Sequence, residues 1–386
     1  MKKTFTVLAV ILADCIALAL TSCEPPPAGA THPGNALGWI GGGMDGWQTG
    51  IAPSQAADFR SFRQPCGVYT DGTGNIYVAE SNNNRISKWN SAGQAQGWIG
   101  GGTNGWKTDD APSAAADYQS FNTPYGVTVD DAGNIYVADC GNNRISKWNS
   151  AGQAQGWIGG GTDGWKTGDA PSAATDYRSF SDPFDVSVDG AGNIFVADRS
   201  NNRIIKWNSV GQSQGWIGGG DNGWQMGAAP APGSDYRSFG ETYGVAVDSA
   251  GNIYVPDSNN SRISKWNSAG QAQGWIGGGI DGWQTGTAPL NEGTDYQSFY
   301  MPLAVAVDDT GSIYVADNLN HRICKWNSTG QAQGWIGGGT NGWQTGDAPS
   351  HGTDFRSFNS PEGVCVDGVG NIHVAEYGNN RISKWN

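Results

Sequence analysis

Along most of this chain, apolar and polar residues alternate with a period of two in short runs. Each run ends in a cluster of Gly, Asn, Asp or Ser. Residues 67–99 show the pattern. Residues 67–71 are a β-prone run, and Gly72-Thr73-Gly74 turns the chain. Residues 75–80 alternate as a second strand and stop at Ser81-Asn82-Asn83-Asn84. Residues 85–89 alternate again, Asn90-Ser91-Ala92-Gly93 turns, and residues 96–99 make a fourth strand. A period of two puts successive side chains on opposite faces of a strand. Strands divided by such tight turns predict an antiparallel meander.

This four-strand pattern recurs six times. The phrase Gly-Trp-Ile-Gly-Gly-Gly places its Trp at Trp39, Trp98, Trp157, Trp216, Trp275 and Trp335, at spacings of 59, 59, 59, 59 and 60 residues. A fixed period of this size means stacked supersecondary units. Six four-stranded units predict an all-β, six-bladed β-propeller over residues 35–386. The phase of the repeat also predicts how the ring closes. The last unit ends at Asn386 after its third strand, and Leu37-Gly38-Trp39-Ile40 is a fourth strand with nothing before it. The N-terminal strand is therefore expected to complete the C-terminal blade and remove the free edge.

The pattern stands in one copy as Gly126-Val127-Thr128-Val129-Asp130, residues 133–139, and Asn142-Asn143-Arg144-Ile145. It resembles the NHL repeat family, and the likeness recurs in all six copies. That resemblance implies a six-bladed propeller that binds protein, RNA or small ligands, with enzymes only among relatives. It also implies scaffold roles for two sets of residues. One is the Phe before each first strand (Phe62, Phe121, Phe180, Phe239, Phe299 and Phe358). The other is the acid-and-Arg pairs such as Asp139 with Arg144 and Asp198 with Arg203, whose charges can lock one hairpin.

The first residues break the pattern. Lys2 and Lys3 precede an apolar stretch over residues 5–20, followed by Leu20-Thr21-Ser22-Cys23. This reads as an export signal over residues 1–22. It resembles the lipobox of bacterial lipoproteins, which implies lipidation of Cys23 and anchoring to a bacterial outer membrane or cell surface. A plain signal would give a secreted or periplasmic protein. The Pro- and Gly-rich residues 23–34 read as a tether. Composition adds exclusions. A formal charge of −13 with no basic cluster argues against nucleic acid. Glycine is abundant (61) but has no three-residue period, so collagen is excluded. No metal or cofactor motif appears, and no cofactor is expected. The Cys lack metal-ligand spacing. Cys66 and Cys365 fall on neighbouring inner strands, and two buried thiols are expected there rather than a bridge.

Function is sought where the copies differ. The turn after the second strand and the blade-to-blade connection lie on one face, here called the top. The connections are long, about 25 residues from Gly41 to Pro65. They carry Trp47, Trp106, Trp165, Trp224, Trp283 and Trp343 in an Asp/Asn-Gly-Trp motif. These either stack on sugars as six repeated sites or wedge the blades together. At the top of the inner strand one position varies: Cys66, Tyr125, Phe184, Tyr243, Leu303 and Glu362. The next position is Gly except at Asp185 and Ala304. The hairpin turns add Cys140, Arg199, His321 and Tyr377. Together they are expected to ring the mouth of a central channel as an asymmetric binding site. Catalysis has little support. There are four His in all, and His321, His351 and His373 occupy three different repeat positions. The expected role is a non-enzymatic scaffold for a protein partner, with a multivalent sugar-binding propeller as the alternative and a lyase or lactonase third.

Overall fold

A computed structural model describes residues 33–287 and 292–386. The export signal (1–22), Cys23, the tether up to residue 32 and residues 288–291 of one long connection lie outside the described residues. Among the described residues, twenty-seven strands form six antiparallel sheets arranged as a six-bladed propeller. The first blade runs from its inner strand outward as Pro65–Thr70, Ile76–Glu80, Arg85–Trp89 and Ala95–Ile99. The other inner strands are Pro124–Val129, Pro183–Val188, Ala246–Val247, Pro302–Val307 and Pro361–Val366.

The core lies between blades. The second strand of every blade is buried along its whole length, because both of its faces meet a neighbour. Ile76 and Val78 pack towards Ile382 of the sixth blade, whereas Tyr77 and Ala79 pack towards Ile135 and Val137 of the second. Each junction is filled by a fully buried Trp from the third strand and the Phe that precedes the inner strand. Trp89 and Phe62, for example, have ring centroids 5.2 Å apart. Each such ring contributes roughly 2–3 kcal/mol through burial. The Phe set is thus scaffold, as the family likeness implied.

Closure follows the expected route. Ala36–Gly41 pairs with Arg381–Trp385 in the register Ala36↔Trp385 and Ile40↔Ile382. The seal begins before the strand. Gly34 N–H donates to Asn386 O at 2.5 Å, and Gly342 N–H donates to Gly34 O at 2.9 Å. Gly93 makes the matching contact elsewhere, accepting from Gly46 N–H at 2.7 Å in the turn after a third strand. The chain therefore enters the ring from the bottom face.

The acid–Arg pairs prove to be buried locks that also hold the long connections. Arg144 donates to Asp139 through Nε at 2.7 Å, and both side chains are 0% exposed. Its guanidinium also donates to the carbonyls of Ala116, Asp117 and Ser120 at 3.0, 2.7 and 2.6 Å. The connections are further linked to one another around the rim. Ala111 N–H donates to Ala57 O and Ala170 N–H to Ala116 O, both at 2.9 Å.

Candidate functional site

The variable inner-strand residues do meet. Cys66, Tyr125, Phe184, Asp185, Tyr243, Leu303 and Glu362 line one cavity of about 50 Å³ at the top of the axis. Below it, inner-strand residues such as Val68, Val127 and Val186 enclose a wider channel of about 270 Å³. Half of the mouth is aromatic. Tyr125 and Phe184 stack with centroids 3.9 Å apart, and Tyr243 meets Phe184 edge-on at 4.8 Å. Arg199 lies over this wall, its guanidinium 4.7 Å from the Tyr243 ring and 5.7 Å from that of Phe184. Glu241 holds it there with a 2.7 Å ion pair.

Local sequence explains why the mouth is lopsided. Neighbouring inner strands approach so closely that a Cβ on Gly67 would stand 2.4 Å from Tyr125 O. Asp185 is tolerated at this position because the next inner strand, in the fourth blade, is cut down to Ala246–Val247. That blade has Thr242 where the others have Pro, and Pro256 where the others have Ala. Pro256 has no N–H to give its neighbour. The opened segment is held instead from the third blade: Asp185 Oδ2 accepts the Val245 N–H at 3.0 Å, and Oδ1 accepts that of Val186 at 2.9 Å.

Burial governs the chemistry of the acids here. It pushes the Glu362 carboxyl up to about 7, a rise only partly offset by the Cys66 thiol. It does the same to Asp185 against its two N–H donors. The Cys66 thiol is raised well above its ordinary value by burial and by Glu362. A carboxyl with a raised value keeps its proton in the folded state while the unfolded chain releases it from about pH 4. The stability these two carboxyls contribute is therefore fullest below pH 4 and is lost as pH rises towards 7. Glu362→Gln should leave the thermal midpoint unchanged near pH 4 and raise it by a few degrees at pH 8. A midpoint unchanged or lowered at pH 8 would mean that the ionised Glu362 is well partnered.

Other residues lie elsewhere. His321 is the left-handed residue closing its hairpin turn (φ 53°). Its Nδ1 accepts the Ser360 N–H at 3.2 Å, and its ring meets His351 at 5.4 Å. It caps the next blade, as Asn84 does for Thr123, and stands apart from the cavity. Cys66 and Cys365 are not joined. Cys66 Sγ lies 3.3 Å from Ser81 Oγ, and Cys365 Sγ 3.8 Å from Thr70 Oγ1. The six loop Trp are not on the top face. After each outer strand the chain folds back down the flank, as Met44–Gln48, Thr162–Lys166 and Ile280–Gln284 in three blades and as single bridges in the others. Trp47 Nε1 donates to Ser91 O in a bottom turn of the next blade at 3.0 Å, and Trp106, Trp165, Trp224 and Trp283 do likewise. Trp343 packs beside Tyr314, as its counterparts do beside the equivalent rings. Each is half-buried. Trp106 packs beside Tyr77, with Lys88 Nζ over both rings at 5.3 and 5.4 Å. Sequence reasoning missed Glu241, Thr242 and Pro256. For Thr242 and Pro256 the available signal was their departure from the other five copies, whereas the position of Glu241 differs in every copy.

The NHL repeat description matches residues 62–89, 121–148, 244–266 and 299–326. These four stretches match NHL repeats. Each matched repeat spans an inner, a second and a third strand of one blade. The third and sixth blades lie outside these matches, and they supply Phe184, Asp185 and Glu362 to the mouth. NHL repeat-containing protein 3 of Mus musculus is 32% identical over 124 residues, which cover 31% of this chain and 30% of that protein. The Homo sapiens protein of that name is 33% identical over 87 residues, 22% of each chain. The likeness thus spans less than a third of either relative. Among solved structures, a streptogramin B lyase superposes with a TM-score of 0.51 at 13% identity, covering 87% of this chain and 96% of its own. A gluconolactonase from Xanthomonas campestris superposes with a TM-score of 0.51 at 12% identity, covering 91% and 98%. At that identity the likeness shows a shared fold alone. Among the described residues, no three His, Cys, Asp or Glu stand together as a metal-binding group. No helix there is long and apolar enough to cross a membrane.

Proposed function

We propose that this NHL-repeat propeller is a binding module. It recognises a protein partner through its top face, at the channel mouth, and is displayed on the cell envelope by a lipid on Cys23. The observation that carries this reading is convergence. The positions that differ between copies gather in one cavity with an aromatic wall and a charged rim, while the positions shared by all copies build cores and locks. A mouth of about 50 Å³ suits anchoring one side chain. Enclosed small-molecule sites are roughly 300–1,000 Å³, so the size favours binding over the enzyme chemistry of the structural neighbours. The loop Trp have their indole N–H groups bonded within the blade array, which favours a packing role over a sugar platform. Entry of the chain from below supports an anchor beneath the bottom face and a free top.

The test is site-specific crosslinking in the protein's own host. A photo-reactive phenylalanine at position 243 should yield an adduct of discrete mass, competed away by unlabelled propeller. The same probe at position 210, on an exposed bottom turn, should yield none. Adducts from position 210 alone would place the binding surface on the other face.

A further inference from the structure

Glu362 is the unfinished residue of the mouth. It shares the cavity with the Cys66 thiol, which is turned to Ser81, and its Oε2 is shut off from solvent and has no hydrogen-bond partner. A carboxylate oxygen left in that condition is unfavourable until an N–H or O–H reaches it. Across the same cavity stand the rings of Tyr125, Phe184 and Tyr243, whose faces carry negative charge density. The protein already uses one side of this wall for a cation, since Arg199 lies 4.7 Å over Tyr243. The inner side has the wall and an acid, but no cation of its own.

We propose that the channel mouth is a receptor for a primary ammonium group, whose N–H donates to the Glu362 carboxylate while its charge packs against Tyr125 and Tyr243. The cavity admits a compact head of this kind. A single water takes about 30 Å³ of liquid volume, against about 50 Å³ here. A hard metal ion asks for about six oxygens, and the other nearby acid, Asp185, is already engaged by two backbone N–H groups. The proposal rests on the top-face reading above and names the chemistry that face would select. The ammonium can come from a lysine of a protein partner or from a free alkylamine.

Calorimetric titration of the whole propeller tests this. The probes are n-butylammonium chloride and, as the neutral counterpart, 1-pentanol, at pH 8. The expected result is saturable binding of the amine, at least about tenfold tighter than the alcohol, and loss of that preference in Glu362→Gln. A second measurement does not depend on the variant folding. Of the groups facing the mouth, Glu362 and Asp185 ionise near pH 7, while Cys66, Cys140, Tyr125, Tyr243 and Tyr377 stay protonated and Arg199 stays paired with Glu241. Amine affinity should therefore fall by about tenfold or more from pH 8 to 5.5, in step with the ionised carboxylate. Acetyl-Gly-Lys-Gly-amide binding more tightly than butylammonium, with its side-chain-acetylated form silent, would assign a protein source. Binding of the free amine alone would assign a small-molecule source. Equal binding of amine and alcohol, or full amine binding in Glu362→Gln, overturns the proposal. The top-face reading would still stand if the adduct at position 243 persisted.

Discussion

Deleting residues 35–42 abolishes the cooperative melt or lowers its midpoint by tens of degrees. The segment supplies the whole outer ladder of the sixth blade. It buries Ile40 completely and Trp39 to 5% exposure. Those two side chains contribute roughly 2–3 kcal/mol each, and each ladder hydrogen bond contributes about 1 kcal/mol. Their sum approaches the whole stability of an ordinary domain, about 5–15 kcal/mol. The loss also reaches beyond one blade. Phe62 and Trp89 of the first blade pack on Ile40, so the first junction opens with the sixth. Differential scanning calorimetry reads the effect directly. A midpoint within a few degrees of the parent would mean that the ring does not depend on this strand.

Arg144→Ala costs about 3–5 kcal/mol, the range for removing one partner of a buried ion pair. Asp139 is left without its countercharge at 0% exposure, and burial already raises its carboxyl above the usual range. The same change frees the carbonyls of Ala116, Asp117 and Ser120. The connection before the second blade should therefore become sensitive to proteolysis near residues 110–120 while the blades stay folded. Denaturant melts and limited digestion check the two effects. A cost under about 1 kcal/mol, the range of an exposed pair, would contradict the lock.

Much of this architecture was legible because the repeat says everything six times. Strand alternation, turn residues and the phase of the first strand fix the blades and their closure. The acid–Arg hairpins were read correctly, but half of their work was hidden. The loop carbonyls that Arg144 holds lie 24 to 28 residues away in sequence, and no local pattern reports them. The flank Trp were misplaced for a related reason. Whether a connection folds back as a paired strand or through a single bridge depends on one turn. Gly42 and Gly43 have φ of 72° and 81°, the left-handed pair that a tight hairpin needs. In the next repeat Gly101 lacks positive φ, and a single Trp98↔Lys107 bridge replaces the strand. The sequence carries a trace of this alternation. Asp45, Asp163 and Asp281 stand in the tight hairpins, and Asn104, Asn222 and Asn341 in the open ones. Asp45 and Asp163 pair with Arg60 and Arg178. Only the fold shows what the trace means.

The mouth divides in the same way. That one position per inner strand faces the axis follows from the period of two, so Cys66, Tyr125, Phe184, Tyr243, Leu303 and Glu362 could be gathered from sequence. Asp185 was flagged by its departure from Gly. Its reach to Val245 depends on the retraction of a strand in another blade, where Pro256 lacks the N–H that pairs there. His321 was misread because a turn-closing residue and a mouth residue sit three positions apart in one short hairpin. The left-handed backbone of His321 sends its ring to Ser360 instead of the axis.

The most direct measurement regularises the mouth. Asp185→Gly, Arg199→Ser and Glu362→Tyr together restore residues that other copies already carry at those positions. This triple variant should keep a cooperative melt close to that of the parent and lose the photo-adduct from position 243. An undiminished adduct in the triple variant, with loss of the adduct when Trp106 and Trp165 are replaced, would contradict the account and move the binding surface to the flank.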